Sequence, residues 1–402
     1  MATTPAATSA TAYTYSDTTE LTDGLRKRVV EDFIYSIDPR DLPMRDYFGG
    51  YEKEKVDSIT FEFPEDTHVA IDTTIGTAST GWNTTTDAVD LSVTDQDVLC
   101  VGDILLTADG EIVVVSKVPG TAATANTIDV YSRADLGSTE SVTNSDSDVI
   151  YIIGNAQLEG WTYGASPRFM TRGTKKNYVQ NFEASIDVSK DMNVLPRWGI
   201  KEEFAYQLKQ NQLRELKLLE RNALYGGSNT GTLEGSASHP RTMCGIIAPI
   251  TTVAANINIQ THTTNLSSAE ITEDVINARM QEIYSSGGNP DTIMVGPFNK
   301  KTISSILLPY RQTNMSDEKY KNVVSTYEND FGTVNLLLNR YMRASDIVIL
   351  DKKNFNFCCF KPFDVTDLPD DRDKVRSALI GKYSCKLVKE EHAAWVYGTS
   401  TS

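Results

Sequence analysis

The longest uninterrupted helical pattern in the sequence is PRWGIKEEFAYQLKQNQLRELKLLERNALYG, residues 196–226. Pro196 suits the first turn of a helix, good helix formers follow it, and two glycines end the pattern. Apolar residues recur at steps compatible with one helix face, at Phe204, Leu208, Leu216, Leu219 and Ala223. We predict one amphipathic helix here, and about thirty residues would make a rod of about 45 Å. Such a rod is longer than a small domain is wide, which indicates a member of a larger scaffold.

The composition of the chain excludes several classes of protein. At 402 residues the chain is long enough for two or three domains, and 40% hydrophobic residues can supply their cores. The formal charge of −16 argues against a protein that wraps nucleic acid, because that work needs a basic face. No apolar run has the length of a membrane span, and the N-terminus lacks the regions of a secretory signal. We therefore expect a folded protein that has no membrane segment and does not bind DNA tightly.

Two alternating segments surround a β-rich insertion. Val56–Phe63 and Asn177–Val188 each alternate apolar and polar residues, which predicts two strands that form the legs of one hairpin. Between them, residues 70–159 contain short Val/Ile-rich segments broken by Gly, Asn, Asp and Thr. The clearest unit is DILLTADGEIVVVSKV, whose Asp109-Gly110 pair predicts a tight turn. We expect this insertion to be a self-contained β-module.

The part of the chain after the long helix mixes helices and strands. A capping-box pattern from Ser267 to Glu270 predicts a helix that runs through Tyr284. Thr292–Val295 is predicted as a short buried strand, and another helix follows it. Apolar segments near the C-terminal end predict further strands. The predicted fold class is therefore α+β, with an α/β region from about 228 to 395.

No arrangement of residues predicts catalysis or metal binding. The four histidines lie far apart in sequence and form neither an HxxxH nor an HxE motif. The sequence contains no GxSxG nucleophile elbow and no convergent acid–base set. The five cysteines form no CxxC, and their odd number indicates reduced, mostly buried thiols of an intracellular product. We predict no enzyme activity, no catalytic residue, no metal site and no cofactor.

Four sequence blocks, taken in order, resemble one protein family. They are NYVQNFEASIDVSK with the long helix behind it, NPDTIMVGPFNKKTISSIL, the strands around NDFGTVNLLLNRYM with DIVILD, and LIGKYSCKLVKEEHAAWVYG. The chain resembles the major capsid proteins of tailed phages with the Hong Kong ninety-seven fold, in the branch of the SU-ten-like major head proteins. The order and spacing of the blocks carry this resemblance, because each block alone is only a packing pattern.

The resemblance implies a division of the chain into five parts. These are an N-terminal arm, an extended E-loop hairpin, an inserted module, a peripheral domain built on the long spine helix, and an axial domain that meets its copies at fivefold and sixfold axes. On this sequence the expected parts are the arm (1–51), the E-loop legs (52–69 and 160–190), the inserted β-module (70–159), the peripheral domain (191–227 and 345–402) and the axial domain (228–344).

The resemblance also implies a function. The chain would be a major capsid protein that assembles into hexamers and pentamers of the icosahedral head enclosing the double-stranded DNA of a tailed phage. Its partners would be copies of itself, with separate scaffold, portal and decoration proteins to be considered, and it would be synthesised in the host bacterial cytoplasm. The alternatives are an encapsulin-like compartment shell, another non-enzymatic phage structural protein, and a hydrolase with a β accessory domain. The sequence contains no recognisable cargo-docking pattern, which argues against the compartment shell. It contains no nucleophile elbow, which argues against the hydrolase.

Charged residues of the E-loop are candidates for contacts between subunits. Basic side chains of the hairpin are predicted to meet acidic side chains of a neighbouring spine helix. The predicted set is Arg168, Arg172, Lys175 and Lys176 on the hairpin, with Glu202, Glu203 and Glu215 on the helix. The alternative is an ordinary solvated charge run, worth about 0–1 kcal/mol per exposed pair, and sequence alone favours it.

Overall fold

The fold is described by a computed structural model. It describes residues 40–66, 72–79, 81–83, 90–95, 98–118, 126–141, 143–160, 172–194, 202–227, 233–251, 262–306, 326–369 and 373–400. The α-helices within these ranges are α1 (Pro43–Phe48), α2 (Lys190–Val194), α3 (Glu203–Tyr225), α4 (Ile247–Thr251), α5 (Glu273–Ser285) and α6 (Pro297–Ile306). Short 3-10 helices lie at Asp135–Gly137, Lys352–Asn354 and Glu390–His392.

The strands of the described residues form four sheets. The strands are β1 (Glu54–Lys55), β2 (Thr60–Asp66), β3 (Asp72–Thr74), β4 (Leu91–Ser92), β5 (Asp103–Thr107), β6 (Ile112–Lys117), β7 (Thr127–Val130), β8 (Val149–Asn155), β9 (Arg172–Tyr178), β10 (Gln180–Ser189), β11 (Thr263–Asn265), β12 (Thr292–Val295), β13 (Thr326–Asn329), β14 (Gly332–Leu338), β15 (Ile347–Leu350), β16 (Phe355–Asp367), β17 (Lys374–Leu387) and β18 (Ala393–Tyr397). The sheet orders are β1-β16-β17-β10, β11-β18-β15-β12-β14-β13, β2-β9 and β3-β8-β5-β6-β7-β4. The fold is α+β, as the sequence predicts.

The long helix α3 is shorter than the sequence pattern suggests. It contains 23 residues, which gives a rod of about 35 Å. Residues 195–201, where the sequence places the start, lie outside the described residues. The helix ends at Tyr225, and the following Gly226 has no room for a side chain, because a Cβ atom there would lie 2.8 Å from the carbonyl oxygen of Met243. The predicted apolar face is confirmed at its C-terminal half, where Leu219 and Ala223 are fully buried.

The larger of the two body sheets lies between two hydrophobic cores. Side chains alternate between the faces of a strand, and β15 shows the division clearly. Val348 and Leu350 belong to the core that also contains α1 and the buried face of α3. Ile347 and Ile349 belong to the core that also contains buried residues of α5 and α6. A single buried strand therefore connects both halves of the body.

The expected peripheral segment 345–402 contributes strands to both body sheets. The structure divides it, because β16 and β17 join β10 in the four-stranded sheet whereas β15 and β18 pair with each other and with β11 and β12. The physical reason is that β15 and β18 are apolar on both faces and need cover on both. The boundary expected at residue 345 thus does not separate the two sheets.

The hairpin of the predicted E-loop has a different second leg. Strand β2 pairs antiparallel with β9, from Thr60 opposite Tyr178 to Asp66 opposite Arg172. The predicted strand Asn177–Val188 instead belongs mostly to β10, which pairs with β17 along ten residues. Its apolar positions explain the difference, because they face the body core and would be exposed in a free hairpin.

The inserted β-module forms a closed six-stranded barrel. Strands β3 and β4 are the ends of the sheet order, and they meet where the backbone N–H of Thr94 donates to the carbonyl of Thr74 at 2.8 Å. An antiparallel bridge between Ile75 and Val93 continues this closure. The barrel interior is a separate apolar core with Trp82 fully buried in it. The predicted turn is confirmed, with Gly110 at a φ of 89° between β5 and β6.

Candidate functional site

The β2–β9 hairpin is fastened to the body along one face. Lys175 forms a salt bridge with Glu390, and the backbone N–H of Lys389 donates to the Glu65 carboxylate. Burial lowers the pKa of Lys175, but the hydrogen bond and the charge of Glu390 outweigh it and leave the pKa raised. Burial raises the pKa of Glu65 despite its hydrogen bond from Lys389. The hairpin therefore contacts the turn before β18 in its own chain.

The other face of the hairpin is exposed and carries opposite charges. Glu62 lies directly opposite Lys176, and Asp66 lies directly opposite Arg172. All four side chains are exposed. Opposite charges across an antiparallel pair attract each other, so much of the basic character that the sequence suggests is balanced within the hairpin.

The structure separates the predicted contact residues. Arg168 lies outside the described residues. Glu202 is exposed, whereas Glu203 and Glu215 each have only 7% of their surface exposed. Glu203 accepts a hydrogen bond from Gln207 Nε2 at 2.8 Å, and burial raises the pKa of Glu215 although the charge of Arg214 opposes it. The predicted contact with a neighbouring chain stays a prediction, and Glu202 is its exposed acidic member.

A buried glutamate that the sequence reasoning missed joins the arm to the spine helix. Glu220 is fully buried, and its Oε1 accepts hydrogen bonds from the Arg45 backbone N–H at 2.9 Å and from the Tyr51 hydroxyl at 3.1 Å. Burial raises the pKa of Glu220 to about 7, although these donors lower it. The sequence signal was a carboxylate four residues before Leu224, within the apolar face of the helix.

A basic cleft of about 720 Å³ opens beside this junction. We use "basic cleft" for the groove between the arm root (residues 40–53), one turn of α3 (209–216) and the bulged part of β16. Its basic lining residues are Arg40, Arg45, Lys53 and Lys209, and its apolar lining includes Leu213, Leu216 and Phe363. Glu52 is the one carboxylate among its described lining residues. A concave surface that is both basic and apolar suits an acidic, apolar partner.

The barrel is held together by a buried ion pair. Arg133 Nε lies 2.5 Å from Oε1 of Glu111, and its Nη2 lies 2.6 Å from Oε2, with both side chains buried. Arg133 also donates to the carbonyls of Gly81 and Ser141, and Glu111 accepts from the backbone N–H of Ala134. The pair therefore satisfies backbone groups of two connections at once, the one between β3 and β4 and the one between β7 and β8.

One side of the barrel's outer wall is apolar. Leu106 is paired with Ile112 on one side and with Tyr151 on the other, so the three side chains form a row across β6, β5 and β8. Ile104 and Val114 form a parallel row beside it. Tyr151 is 47% exposed, although an uncovered sheet face is normally polar. We call these five residues the wall patch.

The described residues do not assemble a metal or membrane site. Within the described ranges, no three or more His, Cys, Asp or Glu side chains are placed to hold a metal ion. No helix there is both long and apolar enough to cross a membrane. All five cysteines are free, and burial raises the pKa of Cys244 to about 11 and that of Cys358 to about 12.

The family match gives the class of protein, which is a structural protein of a capsid. The sequence profile of the family described as SU10 major capsid protein matches residues 7–400. The chain belongs to this family, and it is a component of the virion capsid and not an enzyme. The predicted tailed-phage major capsid protein with the Hong Kong ninety-seven-like α+β fold is confirmed.

Solved structures add similarity at low sequence identity. A chain from Mycobacterium phage Bobi and one from Microbacterium phage Oxtober96 are each 10% identical with a TM-score of 0.49. The matches cover 94% and 93% of this chain and 97% and 96% of those chains. The holo-SrpI encapsulin complex from Synechococcus elongatus PCC 7942 is 9% identical, with a TM-score of 0.40 over 58% of this chain and 79% of that one. A search of the curated proteins finds no significant match. The family match alone carries the identification.

Proposed function

We propose that the chain assembles with copies of itself into hexamers and pentamers of an icosahedral head that encloses the double-stranded DNA of a tailed phage. The observation that carries this proposal is the family match, which extends over residues 7–400. A closed shell places identical subunits side by side, so each subunit needs several surfaces that bind neighbours. Many modest contacts held at once give such a shell its stability.

The hairpin supports this function through its geometry. A two-stranded ribbon is marginally stable alone in water, and β2–β9 is a separate two-stranded sheet. It is fastened to its own chain by one face and exposes the other. We propose that a neighbouring subunit covers the exposed face, where Arg172 and Lys176 are the described basic candidates and Glu202 of a spine helix is an acidic partner.

The domain organisation of the family is also proposed for this chain. The arm, the E-loop legs, the spine helix and the axial region keep the ranges given by the sequence, with two changes. Strand β10 belongs to the body sheet, and β15 with β18 connects the peripheral and axial regions. In this assignment the E-loop is the β2–β9 ribbon. One end of the ribbon continues into β10, and the barrel extends from the other end.

The charge of the chain fits a container that does not bind its contents tightly. Packaged DNA is a polyanion, and a subunit with a formal charge of −16 repels it at long range. Specific binding of DNA would require a basic surface that releases counterions. We propose synthesis in the host bacterial cytoplasm and further contacts with separate scaffold, portal and decoration proteins.

The test is negative-stain microscopy with light scattering on the chain expressed alone. We expect closed shells of uniform diameter. If the chain stays monomeric, the same measurement is repeated after coexpression with the scaffold candidate encoded beside it. A mixture that is still monomeric would contradict the proposed function.

A further inference from the structure

The wall patch is apolar without contributing to the barrel core. The core lies on the opposite side of the same strands, where Leu105, Val113 and Ile150 are fully buried. Leu106 and Tyr151 point away from it, since neighbours along a strand face opposite sides. The barrel is thus complete without the patch. A row of aliphatic and aromatic side chains on an outer wall is typical of a surface that another protein covers.

The charge of the β-module argues against a second β-module as the partner that covers the wall patch. Residues 70–159 contain fourteen acidic and two basic residues, which is a formal charge of −12 out of the −16 of the chain. Of the two basic residues, Arg133 is buried and Lys117 lies 3.7 Å from Asp129. Two such modules would repel each other. A contact between patches of two copies is therefore disfavoured, and a basic partner surface is favoured.

The same chain carries a surface of the required kind. The basic cleft combines four basic side chains with an apolar lining, and its volume of about 720 Å³ can take several side chains. Arg40, Arg45, Lys53 and Lys209 are all exposed. The module and the cleft are therefore complementary in charge and in apolar character. A contact between two different surfaces of identical chains is head-to-tail, and such contacts form a ring when the rotation from copy to copy closes.

We propose that the barrel of one copy docks through its wall patch into the basic cleft of the neighbouring copy. This inference rests on the proposed self-assembly, and it names the surfaces that meet. Tyr151 stands at the exposed edge of the patch and enters the cleft. Lys53 and Lys209 face the acidic module that carries the patch. The contact holds the barrel of one subunit against the body of its neighbour. The hydrophobic cores of both bodies stay unchanged.

The experiment places a photo-crosslinker in the patch of the full chain. The variant Tyr151→p-benzoylphenylalanine is assembled into shells, irradiated and analysed on denaturing gels and by peptide mass spectrometry. We expect a covalent product of twice the chain mass, with the attachment mapped to residues 40–53 or 209–216. Mixing isotope-labelled and unlabelled chains before assembly distinguishes attachment between copies from attachment within one copy. The same crosslinker at the exposed Val194 serves as the position control.

A charge reversal tests the complementarity in the same assay. The double variant Lys53→Glu/Lys209→Glu should reduce the crosslink from position 151 at least about tenfold at low salt. Lys301→Glu is the matched control, because Lys301 is an exposed lysine outside the cleft. Melting curves establish that each variant folds.

The outcomes separate this inference from the proposed function. Shells that form with no crosslink at position 151, or with a crosslink that maps to another segment or to a second module, overturn the inference and leave self-assembly intact. A crosslink to the cleft that survives the charge reversal unchanged also overturns it. A chain that forms no assembly even with its scaffold candidate contradicts the proposed function. It then also contradicts this inference, which rests on self-assembly.

Discussion

The barrel and the body of this protein build their cores in opposite ways. All the buried residues of the barrel core come from one continuous stretch, between Ile75 and Ile150. The larger body core draws its buried residues from positions as far apart as Leu42 and Ala393. The barrel adds a buried ion pair to its apolar core, whereas aromatic side chains such as Phe355 and Phe357 form much of the body core.

This difference predicts that the barrel and the body unfold independently. The barrel shares no core residue with the body among the described residues. A change in one region should therefore lower the stability of that region and leave the melting of the other unchanged. Single substitutions in either region can therefore test this independence.

Removing the buried charge of the barrel should have the largest effect. Arg133→Met leaves the Glu111 carboxylate buried without its partner and leaves several loop carbonyls without donors. Breaking such a pair costs about 3–5 kcal/mol. We expect the barrel to melt at a lower temperature in calorimetry, and its amides to exchange faster, while the body transition stays in place.

The double variant Glu111→Leu/Arg133→Met is the control for the stranded charge. It removes the isolated carboxylate, so it should recover part of the loss. Recovery should be incomplete, because backbone groups at Gly81, Ala134 and Ser141 also lose their partners. A single transition that shifts for the whole chain would show that barrel and body are not independent.

The converse prediction concerns the spine helix. Leu219 is fully buried in the body core, so Leu219→Ala should cost about 3 kcal/mol through lost burial and a cavity. Leu218 is the matched control, since it is the adjacent leucine and is 38% exposed. Its change to alanine should cost less than about 1 kcal/mol. Denaturant unfolding monitored at the body should separate the two variants, and barrel exchange should stay unchanged in both.

The same contrast explains how much of the fold the sequence could predict. The Asp109-Gly110 turn is local, and the sequence predicts it correctly. The change from β9 to β10 depends on Asn177, whose side chain donates to the carbonyls of Cys244 and Cys385 far away in sequence. No local pattern shows these bonds, so the sequence merges the two strands into one.

Tertiary contacts also explain why the helix predicted to run through Tyr284 is present but begins later than its capping-box pattern. Helix α5 begins at Glu273, while Ser267 and Ser268 have φ angles of 48° and 71° in a turn. The backbone N–H of Ser268 donates to the carbonyl of Gly398 at 2.6 Å. This contact with the C-terminal segment stabilises a left-handed turn where the local signal favours a helix start.

The candidate site was predicted only in part for the same reason. Charged residues can be counted in a sequence, but their burial depends on packing. Glu203 and Glu215 lie on the long helix as expected, yet the fold buries both. The basic cleft needs residues 40–53 and 209–216 to come together, and no sequence pattern links these segments.

Protonation of Glu220 should change the stability of the body and not that of the barrel, because Glu220 is buried in the body. The folded pKa of about 7 lies above the ordinary value of 4.5, mainly because of burial. The folded state therefore holds a proton that the unfolded chain releases between these values. The contribution of Glu220 is complete below about pH 4.5 and is lost as the pH rises through 7.

Glu220→Gln should remove this dependence. Between pH 5.5 and 8, the difference in unfolding free energy between variant and wild type should change by about 2 kcal/mol in favour of the variant. Asp46 and Arg45 also act on the junction, but they are present in both proteins. The exposed Glu202→Gln is the matched control at the start of the same helix. An unchanged difference across this pH range would contradict the raised pKa.

The smallest effect should come from the hairpin, which lies in sequence between barrel and body. Lys175 pairs with Glu390, but 43% of its side chain is exposed, so solvent screens the pair. Lys175→Met should cost less than about 1 kcal/mol and should mainly speed amide exchange in β9. Lys176→Met is the matched control, because its side chain lies on the opposite face of the same strand. If both changes loosened β9 equally, the Glu390 contact would not be what fastens the hairpin, and its hold would have to come from the backbone N–H of Lys389 on Glu65.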